Sequence, residues 1–173
     1  MKAVHWLVIA LVVAGCTDRA LMSPPESGPP TAPQASLIGD LLGGTGLLQC
    51  STLSYATATQ TIGSAGGTIR VGPHTLTVPA GALSSPVAIT GTLVTGRGVN
   101  AVHFQPEGLK FARSASLTMS YANCNLLGRL LPKRIAQVSD GLSILSYLLS
   151  IDNLFAEQVT GRVDHFSNYA VAW

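Results

Sequence analysis

The sequence predicts an all-β fold, an antiparallel β-sandwich over residues 50–173, preceded by a signal peptide at 1–15 and a disordered, Pro-rich tether at 16–36. Three observations lead there. Beyond Gln49 the apolar residues come in short runs of Val, Ile, Leu, Thr and Tyr punctuated by Gly and Pro, the pattern of strands and turns. No long helical-period run interrupts them. Hydrophobic residues make up 47% of the chain and charged residues 10%, well under the roughly 25% charged share of an average soluble domain. That profile suits an exported β protein, and 173 residues leave room for one domain plus a leader and a linker.

In chain order, Met1 to Gly15 has the parts of an export signal: Lys2, an apolar run from Val4 to Val13 broken only by His5, then the small residues Ala14 and Gly15. The run is too short to span a bilayer, which takes about 20 apolar residues. Val13-Ala14-Gly15-Cys16 resembles the lipobox of bacterial lipoproteins, with Val where Leu is usual. The resemblance implies a diacylglyceryl group on the Cys16 thiol, cleavage before that residue, and palmitate-type acyl chains fastening the mature protein to a membrane. Two or three chains on one residue hold stably where a single chain would not. An ordinary signal peptide with an incidental cysteine is the alternative. Thr17 stands where an aspartate commonly retains lipoproteins in the inner membrane. The expected location is therefore the cell envelope, outer membrane favoured over inner, with the face left open.

With Cys16 assigned to lipid, Cys50 and Cys124 remain as an even pair in a chain bound for an oxidising compartment, where a disulfide is expected. It would close a loop of about 75 residues, worth roughly 3 to 5 kcal/mol, and tie the first strand to a later one. Two buried free thiols, or half of a metal site, are the alternatives. Neither cysteine has the Cys-x-x-Cys spacing or clustered His of a metal site.

Residues 17–36 carry Pro24, Pro25, Pro29, Pro30 and Pro33 among Ser, Gly, Thr and Ala, too little apolar surface to fold. Residues 37–49 are Gly/Leu-rich and fit either a short helix on the domain or an irregular packing segment. Thr68–Val71 and Thr75–Val78 alternate across Gly72-Pro73-His74, the signature of a hairpin. Val87–Val94 alternates Val87, Ile89, Gly91 and Leu93 against the other face, and Leu117, Met119 and Tyr121 share one face of a further strand. Val102–Gln105, Arg134–Ser139, Leu142–Tyr147, Gln158–Val163 and Phe166–Trp173 complete about nine strands.

Three stretches between Ile62 and Tyr121 resemble the ZU-five domain, the β-sandwich module of zonula occludens proteins, netrin receptors and ankyrins. They are Gly66-Gly67-Thr68, the turn in Leu76-Thr77-Val78-Pro79-Ala80-Gly81-Ala82-Leu83, and the step Phe104-Gln105-Pro106-Glu107-Gly108-Leu109-Lys110-Phe111. Arg113-Ser114 departs from the proline common in the family. The resemblance implies a structural or interaction module rather than a conventional enzyme. It also singles out His165-Phe166-Ser167, which is similar to the site where some domains of this family cut themselves. In that chemistry the Ser167 hydroxyl attacks the Phe166 carbonyl while His165 takes the proton, and water hydrolyses the resulting ester. The alternative is an uncut strand end whose His and Ser bond nearby backbone.

A net charge of +2 from scattered residues, without basic runs or interleaved aromatics, argues against nucleic acid as a partner. His74, in a turn, and His103, in a strand, have no partners at metal-ligand spacing, so no metal site is expected. Asp140, Asp152, Glu157 and Asp164 lack the spacing of a calcium loop, and the Gly-rich stretches lack the Lys of a phosphate cradle, so no cofactor is expected either. The remaining partners are the membrane, through Cys16, and an envelope protein or polysaccharide. A hydrolase would need Asp140 or Asp152 beside His165.

Overall fold

The computed structural model describes residues 46–125 and 130–173. The signal peptide, the tether with Cys16, and residues 37–45 of the Gly/Leu-rich stretch lie outside the described residues. Within them the chain forms β1 (Thr57–Ile62), β2 (Gly67–Val71), β3 (His74–Val78), β4 (Val87–Val94), β5 (Ala101–Gln105), β6 (Lys110–Ser120), β7 (Arg134–Val138), β8 (Ile144–Tyr147), β9 (Ser150–Asn153), β10 (Gln158–His165) and β11 (Asn168–Ala172). No helix among the described residues is long and apolar enough to cross a membrane.

Two antiparallel sheets pack face to face as a β-sandwich, the first ordered β1-β4-β5-β11-β7-β8 and the second β2-β3-β6-β10-β9. Period-two alternation decides which residues meet between them. Ile89 and Leu93 of β4, Phe104 of β5, and Tyr169 and Val171 of β11 face Ile69, Leu76, Leu117, Met119, Val159 and Val163 of the second sheet, all buried. Each such aliphatic side chain contributes about 1.5–3 kcal/mol by leaving water. The alternation in β4 is broken at Gly91 because neighbours fill the space: a Cβ there would sit 2.5 Å from Val71 Cγ2 and 2.9 Å from Phe104 Cε1.

The last strand lies in the middle of its sheet, between β5 and β7, and all five of its residues are buried. Tyr169 and Val171 enter the inter-sheet core, while Ala170 and Ala172 join Leu47, Ala101, Ala136 and Val138 in a second cluster on the opposite face. Leu47 bridges Ala172, and Gln49 bridges Val99, so the described end of the Gly/Leu-rich stretch is extended packing rather than helix.

Several element boundaries differ from those expected. His74 is not in the turn but opens β3, paired with Val71, which shortens the hairpin loop to Gly72-Pro73. β6 begins at Lys110, well before Leu117. Phe166 and Ser167 lie outside the last strand and carry the chain from one sheet to the other. The two strands without a sequence signal, β1 and β9, are edge strands with polar sequences. β1 is fastened to β4 by hydroxyl pairs, Thr57 to Thr92 at 3.1 Å and Thr59 to Thr90 at 2.8 Å.

Cys50 and Cys124 form a disulfide, S–S 2.08 Å. It joins the segment entering the domain to the loop after β6, not a first strand to a later one. Asn100 and Asn123 brace the same corner: Asn123 Nδ2 donates to Ser51 O at 2.6 Å, and Asn100 Nδ2 donates to Ser120 O at 2.9 Å.

Candidate functional site

The passage from β10 to β11 changes sheets in two residues, Phe166 and Ser167, and both are almost fully buried. So abrupt a crossing must be held by something. The holder is the turn between β5 and β6: Phe166 N–H donates to Leu109 O at 2.8 Å, and Gly108 N–H donates to the Phe166 carbonyl at 3.0 Å. The Phe166 ring stacks on Phe104 with centroids 5.3 Å apart and meets the edge of Phe111 at 5.0 Å. The Phe104–Phe111 stretch and the His165-Phe166-Ser167 stretch, more than fifty residues apart in sequence, therefore build one corner.

His165 ends β10 half-buried and lines a cleft of about 430 Å³ together with Gln137, Leu149, Arg162, Asp164 and Tyr169. The Tyr169 hydroxyl donates to the His165 carbonyl. Burial, with the Asp164 charge adding to it, raises the Tyr169 pKa well above the ordinary tyrosine range, so the hydroxyl keeps its proton. Ser167 Oγ accepts from Gln137 Nε2 at 3.2 Å, and Gln137 Oε1 accepts from Ser146 Oγ at 3.2 Å. No hydrogen bond joins the His165 ring to Ser167. The structure thus places Phe166 and Ser167 at the crossing and His165 on the adjoining cleft, with Gln137 touching both.

Gln137 was not anticipated from the sequence. Its signal was a polar residue at an inward position of β7, two after the buried Ile135, in register with Tyr169. Asp140 and Asp152 do not come to His165. Asp140 accepts from Asn168 Nδ2 at 2.8 Å, and Asn168 Oδ1 bonds His103 Nδ1. Asp152 accepts from the Tyr121 hydroxyl at 2.7 Å and from Lys133 N–H at 2.9 Å. Asp164 accepts from Ser114 Oγ at 2.5 Å, and Ser114 accepts in turn from Arg162 Nη2 at 2.9 Å. Among the described residues no three of His, Cys, Asp and Glu gather as a set that could hold a metal ion.

The remaining histidine among the described residues is a core residue. His74 is fully buried; its Nδ1 accepts from Ser120 N–H at 3.1 Å, which places its proton on Nε2, and Nε2 has no partner. Burial holds its pKa down to about 4.

The three stretches compared above with the ZU-five domain each span a turn and strand residues beside it. Gly66, before β2, has φ +77°, and a Cβ there would lie 2.4 Å from Val78 O, so no other residue fits without moving backbone. The Pro79–Leu83 turn tucks Ala82 and Leu83 into the core. No protein-family model matches this chain, and no curated protein matches it.

Proposed function

We propose that this chain is a bacterial envelope lipoprotein, acylated on Cys16, that displays a ZU-five-like β-sandwich as a structural or interaction module for an envelope protein or polysaccharide. The observation that carries the reading is the Cys50–Cys124 disulfide. A bond of that kind belongs to an oxidising compartment, and it uses two of the three cysteines, leaving Cys16 alone behind Val13-Ala14-Gly15. The Pro-rich residues 17–36 then separate the anchor from the domain. Labelling cells with radioactive palmitate tests this: label enters the wild-type chain in the membrane fraction, and Cys16→Ser both loses the label and releases the protein. An unlabelled wild-type chain in the soluble fraction would sink the reading.

One contact favours a second reading, self-cleavage between Phe166 and Ser167: the Gly108 N–H bonded to the Phe166 carbonyl is placed as the donor that an oxyanion needs. The Ser167 Oγ–Phe166 carbon bond would form as the peptide C–N bond breaks, with the hydroxyl proton passing through His165 to the Ser167 amine. Water would then split the ester to a Phe166 carboxylate and a free Ser167 hydroxyl. Mass spectrometry under denaturing conditions separates the cases. Loss of residues 167–173 that Ser167→Ala abolishes supports cleavage, and an intact carboxyl end in the wild type removes it.

A further inference from the structure

The two sheets end on the same side, because β8 is the outer strand of the first, β9 is the outer strand of the second, and only Leu148-Leu149 separates them. That side is apolar and open. Leu149 is 75% exposed, Ile151 78% and Phe155 103%, with Leu145, Tyr147 and Leu154 also exposed. Edge strands ordinarily guard themselves with charge or proline, yet Gly141 to Ile151 contains no charged residue. The nearest carboxylate on β9, Asp152, is taken up by Tyr121 and by the backbone of Lys133. Arg134 brings a positive charge to the β8 side, its guanidinium 5.2 Å from the centroid of the Tyr147 ring, while Glu157 stands two residues after Phe155 at the far end of the rim. An exposed apolar patch of this kind marks a contact surface.

Where the chain enters the domain decides between occupants. Gly46, the first described residue, accepts from Trp173 N–H at 3.2 Å, and a Cβ on it would lie 3.3 Å from Tyr147 Oη. The described chain therefore begins beside this rim. Leu149, Leu154 and Phe155 lie in the connections flanking β9, where they suit insertion better than edge-to-edge pairing, while Ile151 and Leu145 stand on the edge strands themselves.

We propose that the β8–β9 rim, with Leu149, Ile151 and Phe155 leading and Arg134 beside them, docks on the surface of an anionic lipid bilayer. It deepens the lipoprotein reading and rests on it. An apolar group with a cation at its border partitions into the headgroup boundary by buried area and by attraction to anionic lipid. The acyl anchor supplies attachment, and the rim fixes which way the sandwich faces. That orientation leaves the β1 and β2 side of the two sheets turned away, toward a partner.

The test uses the mature chain from residue 16 with Cys16→Ser, so that no acyl chain contributes, and vesicles of phosphatidylethanolamine and phosphatidylglycerol. The chain is expected to sediment with the vesicles, and the double variant Leu149→Ser/Phe155→Ser to bind about tenfold more weakly or worse with an unchanged melting temperature. Absence of sedimentation, or binding indifferent to the double variant, overturns the proposal. So does a dimer in sedimentation velocity that the double variant dissolves, which would assign the rim to a second copy. Acylation of Cys16 is read separately by palmitate labelling, so failure of the anchor and failure of the rim give different results.

Discussion

Lowering the pH from 7 to 4 should remove about 3 kcal/mol of stability through His74 alone. In the folded state burial holds this histidine near pKa 4, whereas in the unfolded chain it titrates at about 6.5. Between those values the unfolded chain takes up a proton that the folded chain refuses, so acid favours unfolding. The contribution is fully present above pH 6.5, declines at up to about 1.36 kcal/mol per pH unit, and is exhausted near pH 4. The gap between those two values, at about 1.36 kcal/mol per pH unit, gives the figure of about 3 kcal/mol. Charging the ring would also turn Nδ1 from the acceptor of Ser120 N–H into a donor facing a donor. The assay is urea unfolding of residues 46–173 at a series of pH values, followed by fluorescence of Trp173, the single tryptophan among the described residues. His74→Leu serves as the control: it is less stable at pH 7 for want of an acceptor for Ser120, but its loss between pH 7 and 4 should be smaller by about 3 kcal/mol. An equal loss in both proteins, or a His74 ring resonance titrating near 6.5, refutes the reasoning.

Reducing the disulfide, or replacing Cys50 and Cys124 together by Ser, should cost about 4 kcal/mol because the closed loop spans 74 residues; chemical denaturation with and without reductant measures it. Gly91→Ala should destabilise by about 1–3 kcal/mol, since the added methyl would lie 2.5 Å from Val71 Cγ2, and a thermal melt no lower than wild type would contradict the packing described. Phe166→Ala should cost about 3–5 kcal/mol by removing the ring held between Phe104 and Phe111, read from the shift in urea midpoint.

How much of this was legible beforehand depended on whether a residue's fate was decided locally. Strands half-buried on one face, such as Val87–Val94 and Leu117–Tyr121, announce themselves because alternation in sequence becomes alternation in space. β1 and β9 do not, because an edge strand with Thr, Gln, Asp and Asn is held by its neighbour's backbone and by Thr–Thr pairs that no period records. Gly66 reads as a turn from sequence, but the reason it must be glycine, the approach of Val78 O, is tertiary. The disulfide partners follow from counting cysteines, whereas their attachment outside the strands does not. At the candidate site the sequence supplies His165, Phe166 and Ser167 but neither Gln137 nor the Gly108 N–H, since one reaches the crossing from β7 and the other from the turn between β5 and β6. Spacing alone puts His165 and Ser167 on one strand face, and the sheet change between β10 and β11 intervenes between them.

The most direct measurement is the mass of the amino-terminal peptide of the protein recovered from membranes. The proposed acylation and cleavage before Cys16 would give a peptide that begins at Cys16 and carries the added mass of a diacylglyceryl group. A peptide that begins elsewhere, or an unmodified Cys16 in the soluble fraction, contradicts the anchor and every functional statement built on it.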